Sequence, residues 1–262
     1  MSAPAAGFRL RRVETDRGHR WARVGGRGPF LLYLHGVGDI GSINPLLRRL
    51  ADHYTIVRPD HPGFLGTDGA GCASVGDVAA YHVDLLEALE REGEESDGVV
   101  IVGSSFGGWV AAELALLAPT CVASLVLIDP AGLCGAEPAP DLYALDPATM
   151  VRMSFHAPDL KAGAENLDDA TRGVLRSNLA AARRVAPTMS DPTLAGRLPA
   201  LSLPVTMVWG AEDEIFPVSY LEEWRRVLPH ARTGVVDDAG HLPHVERLDE
   251  LLSFVCPSVP SR

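Results

Sequence analysis

A serine flanked by glycines carries the strongest chemical signal in this chain of 262 residues. Ser105 has Gly103 two positions before it and Gly107 two positions after it, with the apolar run 98–102 upstream and an amphipathic stretch, 109–117, downstream. This pattern is typical of a tight turn from a strand into a helix, where side chains at the glycine positions would collide and the serine hydroxyl projects outward. Ser105 is therefore a candidate nucleophile, and the alternative interpretation is a serine that caps the helix.

Two later segments supply the acid and the base that an activated serine needs. Asp213 lies just beyond the apolar run 203–210, and His241 follows the short strand-like run 232–236. Both positions follow strand ends, from which side chains can reach the sheet edge where ligands gather. We expect His241 to accept the proton of Ser105, and Asp213 to fix the imidazole tautomer.

Alternating strands and helices must position these side chains. Besides the two runs named above, core strands are predicted at 30–34, 54–57, 99–102 and 125–128. An antiparallel pair is predicted at 8–13 and 19–24. One helix is predicted to start at Ser74, an N-cap with Asp77 three residues later, and another to span 166–185. Strands that alternate with helices indicate a parallel sheet covered on both faces.

Four separated segments make the chain resemble the α/β-hydrolase superfamily. They are a His-Gly loop, an Asp-x-Pro-Gly loop, an acid segment and a base segment, at 31–38, 59–64, 209–213 and 240–241. The order serine, aspartate, histidine is also that of the superfamily, rather than that of chymotrypsin or subtilisin. The second loop departs from the usual Asp-x-Pro-Gly-x-Gly-x-Ser, because Leu65 separates Phe64 from Gly66.

The resemblance implies an α/β-hydrolase fold, with a mostly parallel central sheet, helices on both faces and a small helical lid inserted after the sixth strand. It assigns residues 1–131 and 199–262 to the core domain and residues 132–198 to the lid. It also implies that the backbone N–H groups of Val37 and Phe106 form the oxyanion hole.

Asp129 is the other position from which this superfamily can supply the acid. It follows the run 125–128. Asp213 is preferred because its loop matches the commoner acid segment, and Asp129 would then cap the turn into Pro130.

Substrate contacts are expected from the His-Gly loop and the lid. His35 is interpreted mainly as a residue that shapes the oxyanion loop, with direct contact to substrate as the alternative. Most apolar lid side chains are expected to pack on the core and some to line the pocket. The candidate contacts are His35, Gly36, Met150, Met153 and Phe155. His61, His156 and His244 belong to no motif and are interpreted as solvated or helix-end residues, with His156 as a further candidate for substrate contact.

Composition narrows the class of protein. Lys plus Arg is 23 and Asp plus Glu is 34, so the net charge of −11 disfavours binding to nucleic acid or to anionic membranes. No run is long enough for a signal peptide or a membrane span, which predicts a cytoplasmic protein. Four scattered cysteines are expected to be reduced, namely Cys72, Cys121, Cys134 and Cys256. No metal and no cofactor is predicted, and a monomer or a homodimer remains open.

These features favour a serine hydrolase that cleaves an ester-type or related acyl bond of a small, fairly apolar molecule. Serine at position 105 disfavours haloalkane dehalogenase and epoxide hydrolase chemistry, which use aspartate there in this superfamily. Thioester, lactone, amide and carbon–carbon bond cleavage share the same triad. A lyase, isomerase or cyclase of a biosynthetic pathway, or a small-molecule receptor, could be built on the same fold.

Overall fold

A computed structural model describes residues 7–69, 71–91, 98–135 and 138–255. In this part of the chain eight strands form one sheet. They are β1 (Arg9–Thr15), β2 (Gly18–Gly26), β3 (Phe30–Leu34), β4 (Thr55–Pro59), β5 (Val99–Ser104), β6 (Val122–Ile128), β7 (Val205–Gly210) and β8 (Arg232–Val236). The predicted strands are all present, and β3 and β8 have the predicted bounds.

The sheet is mostly parallel, in the order β1-β2-β4-β3-β5-β6-β7-β8. Strands β1 and β2 pair antiparallel, and β2 pairs antiparallel with β4. The strands β3 to β8 run parallel to one another. Their carboxyl ends therefore meet at one edge of the sheet, where the segments after β3, β5, β6, β7 and β8 come together.

Ten α-helices surround this sheet in the described residues. They are α1 (Pro45–Leu50), α2 (Val75–Arg91), α3 (Phe106–Leu117), α4 (Pro147–Met153), α5 (Pro158–Gly163), α6 (Asp169–Val185), α7 (Leu194–Arg197), α8 (Ser219–Val227), α9 (Pro243–Glu246) and α10 (Leu248–Val255). The predicted start of α2 is confirmed, because the Asp77 N–H donates to Ser74 Oγ at 3.1 Å and Asp77 Oδ2 accepts from the Ser74 N–H at 3.0 Å. This reciprocal pair satisfies two N–H groups at the helix start.

Alternating side chains of the central strands bury two separate hydrophobic clusters. In β5, Ile101 belongs to the cluster that contains α2, α3 and α6 residues, whereas Val100 and Val102 belong to the cluster with α1 and α10 residues. The helix after Ser105 was predicted to be amphipathic, and the structure shows it buried along most of its length. Helix α3 is buried continuously from Phe106 to Ala115, since it lies between the sheet and other elements.

Residues 132–198 lie between β6 and β7 and contain the helices α4 to α7 in their described part, and we call this segment the helical insertion. Its longest helix, α6, begins at Asp169 rather than at the predicted residue 166. The reason is local, because Asp168 is the N-cap and accepts the Thr171 N–H at 2.7 Å.

Among the described residues, Cys72, Cys121 and Cys134 are present as thiols rather than in disulfides. Cys256 lies outside the described residues, as do residues 1–6 and 257–262 of the predicted core domain. None of the described helices combines the length and the apolar character needed to cross a bilayer.

Candidate active site

Ser105 occupies a strained position between β5 and α3. Its backbone has φ 56° and ψ −122°, a conformation that residues other than glycine rarely adopt. The surrounding backbone holds it there, because the Ser105 N–H donates to Ile128 O at 2.8 Å and Ser105 O accepts from the Ala131 N–H at 3.1 Å. The turn thus presents the side chain of Ser105 at the carboxyl edge of the sheet.

The two glycines of the pattern are required by close backbone approach. A Cβ at Gly103 would lie 2.4 Å from Gly107 O, and a Cβ at Gly107 would lie 2.1 Å from Leu34 O. Both distances are far below contact distance, so any side chain at these positions would push strand and helix apart. This agrees with the steric reason from which the turn was predicted.

His241 and Asp213 form a buried hydrogen-bonded pair. Nδ1 of His241 lies 2.7 Å from Oδ2 of Asp213, and both residues are 5% exposed. The second oxygen, Asp213 Oδ1, accepts the N–H groups of Ile215 at 2.7 Å and Phe216 at 3.0 Å. Because the carboxylate has no proton to spare, Nδ1 must be the donor, which leaves Nε2 of the neutral ring as an acceptor.

Asp129, the alternative acid, lies beside this pair without an ion partner among the described residues. It is fully buried, and Oδ1 accepts the Gly210 N–H at 2.8 Å, while Oδ2 has no assigned partner there. Burial, followed by the charge of Asp213, raises the pKa of Asp129 well above its ordinary value. These surroundings favour the protonated form of Asp129.

The three residues Asp129, Asp213 and His241 offer ligand atoms within 4.8 Å of one another. Two ligands of a tetrahedral zinc ion lie about 3.3 Å apart. The separation of 2.7 Å between His241 and Asp213 is that of a hydrogen bond, and both atoms are used by it. The geometry fits an acid–base pair better than shared metal ligation.

The loop after β3 has its carbonyl groups held by specific donors. His35 Nδ1 lies 2.9 Å from Gly36 O, and because a carbonyl can only accept, Nδ1 carries the proton. The Gly36 carbonyl and the Val37 N–H belong to one planar trans peptide and point in opposite directions. The ring of His35 therefore helps to set the direction of the Val37 N–H.

Asn178 of α6 holds the same loop from the helical insertion. It is fully buried, and Nδ2 donates to Val37 O at 3.2 Å and to Asp39 O at 2.8 Å. Its Oδ1 accepts the Leu65 N–H at 3.0 Å, so all three polar positions are in use. The residue joins the loop after β3 to the loop that contains the unusual insertion of Leu65, whose φ is 52°. No sequence motif pointed to Asn178.

A chain of three buried histidines continues behind the loop. His61 Nε2 donates to His35 O at 2.9 Å, so His61 Nδ1 is an acceptor, and His82 Nε2 donates to it at 2.8 Å. The His61 N–H in turn donates to His35 Nε2 at 3.3 Å. Burial is the main cause that lowers the pKa values of all three rings well below 6.5. The interpretation of His61 as solvated is wrong, because the ring is 0% exposed.

Ser105 and His241 line one cavity of about 270 Å³, between the sheet edge and the helical insertion. The predicted contacts Gly36, Met150 and Phe155 also line it. Two predicted contacts do not. His35 is turned into the core by its hydrogen bonds to Gly36 and His61, and Met153 packs against the hydrophobic cluster.

His244 lines the cavity as well and is only 4% exposed, so its interpretation as a solvated residue is wrong. It does lie in the four-residue helix α9, as the helix-end alternative predicted. His156 does not line the cavity, but its N–H donates to Glu246 Oε1 at 2.9 Å. Glu246 Oε2 accepts the Gly240 N–H at 2.7 Å, directly before His241. One carboxylate thus ties the helical insertion to the loop that carries His241, a link that sequence analysis missed.

The model of the alpha/beta hydrolase family matches residues 31–254, almost the whole of the described chain. The chain belongs to this family. The chain is 32% identical over 264 residues to the dihydrolipoyllysine-residue acetyltransferase component of an acetoin cleaving system from Cupriavidus necator, and the match covers 94% of this chain and 67% of that protein.

Two further proteins are similar over most of the chain. A pimeloyl-[acyl-carrier protein] methyl ester esterase of Vibrio vulnificus is 24% identical over 251 residues, covering 87% of this chain and 95% of that protein. The solved structure of 2-hydroxy-6-oxo-6-phenylhexa-2,4-dienoate hydrolase from Rhodococcus sp. strain RHA1 has a TM-score of 0.77 at 20% identity, covering 97% and 99% of the two chains. At this identity the structural similarity shows the shared fold.

Proposed function

We propose that this chain is a serine hydrolase that cleaves an ester or related acyl bond of a small, fairly apolar molecule. The observation that carries the proposal is the buried hydrogen bond between His241 and Asp213 beside a cavity that Ser105 also lines. A binding protein would have no use for a strained serine and an oriented imidazole at the same cavity. The esterase relative of Vibrio vulnificus supports the same reaction class.

The reaction starts when Nε2 of His241 takes the hydroxyl proton of Ser105 and the serine oxygen attacks the carbonyl carbon. Asp213 keeps the proton of His241 on Nδ1 and stabilises the imidazolium that forms. The developing oxyanion is bound by the N–H groups of Val37 and Phe106. Phe106 is the first residue of α3, so its N–H has no acceptor within the helix. Loss of one such donor costs about 3 kcal/mol in barrier.

His241 then donates its proton to the leaving group, which leaves an acyl ester on Ser105. Water activated by the same histidine hydrolyses this ester and restores the serine. The carboxyl group of Asp129 stays protonated beside Asp213 and takes no part in proton transfer. The neutral state of Asp129 lets Asp213 carry the single negative charge that the imidazolium needs.

The cavity favours a small substrate with an apolar group. Its volume of about 270 Å³ lies just below the usual range of ligand pockets, about 300–1,000 Å³. Apolar side chains of the helical insertion line it, including Leu142, Met150, Val151 and Phe155. We assign residues 132–198 as the lid that excludes water during acyl transfer, and residues 1–131 and 199–262 as the core domain. The thiol state of the described cysteines fits a cytoplasmic location.

Chromogenic esters test this proposal. We expect p-nitrophenyl esters with acyl chains of four to six carbons to be cleaved, and Ser105→Ala to lower kcat by at least about a thousandfold. Ser253→Ala is a matched control, because its hydroxyl is exposed and donates only to Glu250 O in α10. Activity that survives in Ser105→Ala would contradict the assignment of the nucleophile.

A further inference from the structure

Two polar side chains in the cavity wall belong neither to the proposed triad nor to the proposed oxyanion hole. Tyr33 and His244 line the cavity from the sheet side and are 2% and 4% exposed. Tyr33 belongs to β3, and His244 to α9, which follows the His241 loop. By contrast, the polar lid residue Ser154 donates its hydroxyl proton to Met150 O at 2.8 Å and is satisfied within its own helix.

Each of these two side chains has a hydrogen-bond position without a partner in the described part of the chain. The Tyr33 hydroxyl accepts from Asn44 Nδ2 at 3.0 Å, so its own proton stays available. His244 Nδ1 is buried and unpartnered. Burial lowers the pKa of His244 to about 4, and the ring therefore stays neutral. In the tautomer with its proton on Nδ1, this unpartnered atom can donate to a ligand. Buried polar groups without partners are costly, and a ligand that supplies the partner recovers that cost.

The charges around the cavity disfavour ligands that carry a carboxylate. Among the described residues that line it there is no lysine or arginine, and Asp39 contributes a carboxylate. The buried guanidinium behind Asp39, that of Arg58, is bound to Asp39 at 2.6 Å and to Asp60 at 2.5 Å. A carboxylate that entered the cavity would lose its hydration beside Asp39 and find no unpaired cation.

We propose that Tyr33 and His244 form a second subsite, which binds an uncharged acceptor oxygen of the substrate, a ketone or hydroxyl oxygen, and discriminates against a carboxylate. The inference rests on the proposed function, since it specifies which esters the site prefers. An acceptor oxygen matches two available donors, and a neutral group enters a low-dielectric cavity at little cost.

Two matched sets of six-carbon esters test the subsite on either side of the scissile bond. The acyl set is p-nitrophenyl hexanoate, its 5-oxo derivative and the monoester of hexanedioic acid. The alcohol set is the butanoate of hexanol, of 5-oxohexanol and of 6-hydroxyhexanoic acid. In at least one set we expect kcat/KM to be about tenfold higher for the oxo ester than for the plain ester. The carboxylate ester should be about a hundredfold worse than the oxo ester.

Tyr33→Phe and His244→Leu should each lower kcat/KM for the oxo ester more than for the plain ester, and so remove most of the preference for the oxo ester. Tyr81→Phe is the matched control, because Tyr81 packs under the guanidinium of Arg20, 3.9 Å from its ring centre, and does not line the cavity. It should keep the preference intact.

Equal rates for the plain and oxo esters in both sets, or fastest cleavage of a carboxylate ester, would overturn the subsite. So would wild-type protein that reacts with a fluorophosphonate but cleaves none of the six esters. Protein that neither reacts with the fluorophosphonate nor cleaves any ester would instead refute the serine hydrolase, and the subsite with it.

Discussion

Asp129 and Asp213 end neighbouring strands and present carboxyl oxygens within 4.8 Å of one another beside His241. Only one of them bonds to the imidazole, at 2.7 Å, and that one is Asp213. Two buried carboxylates at this separation cannot both carry a charge cheaply, and the pKa of Asp129 is the one that is raised. The hydrogen bond to His241 thus distinguishes two residues that the sequence only ranked.

Asparagine at position 129 should therefore be tolerated. Asp129→Asn keeps an acceptor for the Gly210 N–H, replaces the protonated oxygen by an NH₂ donor, and suits the positive φ of 45°. We expect kcat to stay within about threefold, whereas Asp213→Asn should lose about 10⁴-fold because the wrong tautomer is favoured. Steady-state kinetics of the two matched variants decides between the acids, and a reversed order of losses would make Asp129 the catalytic acid.

The same variant should change how stability depends on pH. The raised pKa of Asp129 means that the folded protein keeps a proton on this carboxyl group at pH values where the unfolded chain has released it. Release from the unfolded chain occurs once the pH exceeds 3.8, the ordinary pKa of aspartate. That contribution to stability is present at low pH and is lost as pH rises. The melting temperature of Asp129→Asn minus that of the wild type should therefore increase between pH 5 and pH 8. A constant difference across this range would show that Asp129 is ionised in the folded protein.

Asn178 should affect the rate through the direction of the Val37 N–H. Asn178→Asp keeps the acceptor for the Leu65 N–H but loses both donors to the loop after β3 and repels its carbonyl oxygens. We expect kcat to fall about tenfold to a hundredfold with little change in KM, since the oxyanion forms only during the reaction. Asn166→Asp, an exposed change of the same kind, is the control. An unchanged kcat in Asn178→Asp would remove the residue from this role.

The buried histidine chain predicts a loss of stability in mild acid. The lowered pKa values of His35, His61 and His82 mean that the unfolded chain binds more protons than the folded protein below about pH 6.5. Their contribution to stability is full above that pH and is lost as pH falls, and the nearby guanidinium groups of Arg58 and Arg20 oppose protonation further. Melting temperatures at pH 5, 6 and 7 measure this dependence of stability on pH, which we call the acid slope.

Two substitutions of His82 separate its titration from its hydrogen bond. His82→Gln and His82→Leu both remove a titrating group, and both should therefore make the melting temperature depend less on pH between pH 5 and pH 7. Only glutamine can donate to His61 Nδ1, so kcat should be nearly wild type in His82→Gln and lower in His82→Leu. Equal kcat in both variants would show that the hydrogen bond to His61 does not help to hold the loop.

The fold and the order of the site residues were accessible from sequence because they depend on local patterns. Glycine spacing at Ser105, apolar runs and strand ends are repeating features with direct steric causes. Asn178, Glu246 and His82 were missed because their partners lie far away in the chain: the Asn178 and Val37 positions are 141 residues apart. Met153 packs against the hydrophobic cluster instead of lining the cavity, because an apolar side chain in a helix of the insertion can face either one.

The most direct test of the account is intact-protein mass spectrometry after reaction with a fluorophosphonate, followed by peptide mapping. We predict one phosphonyl group per chain, on Ser105, with loss of ester turnover in proportion to labelling and no labelling of Ser105→Ala. Labelling of another residue, or full ester turnover by protein that stays unlabelled, would contradict the central claim that Ser105 is the nucleophile.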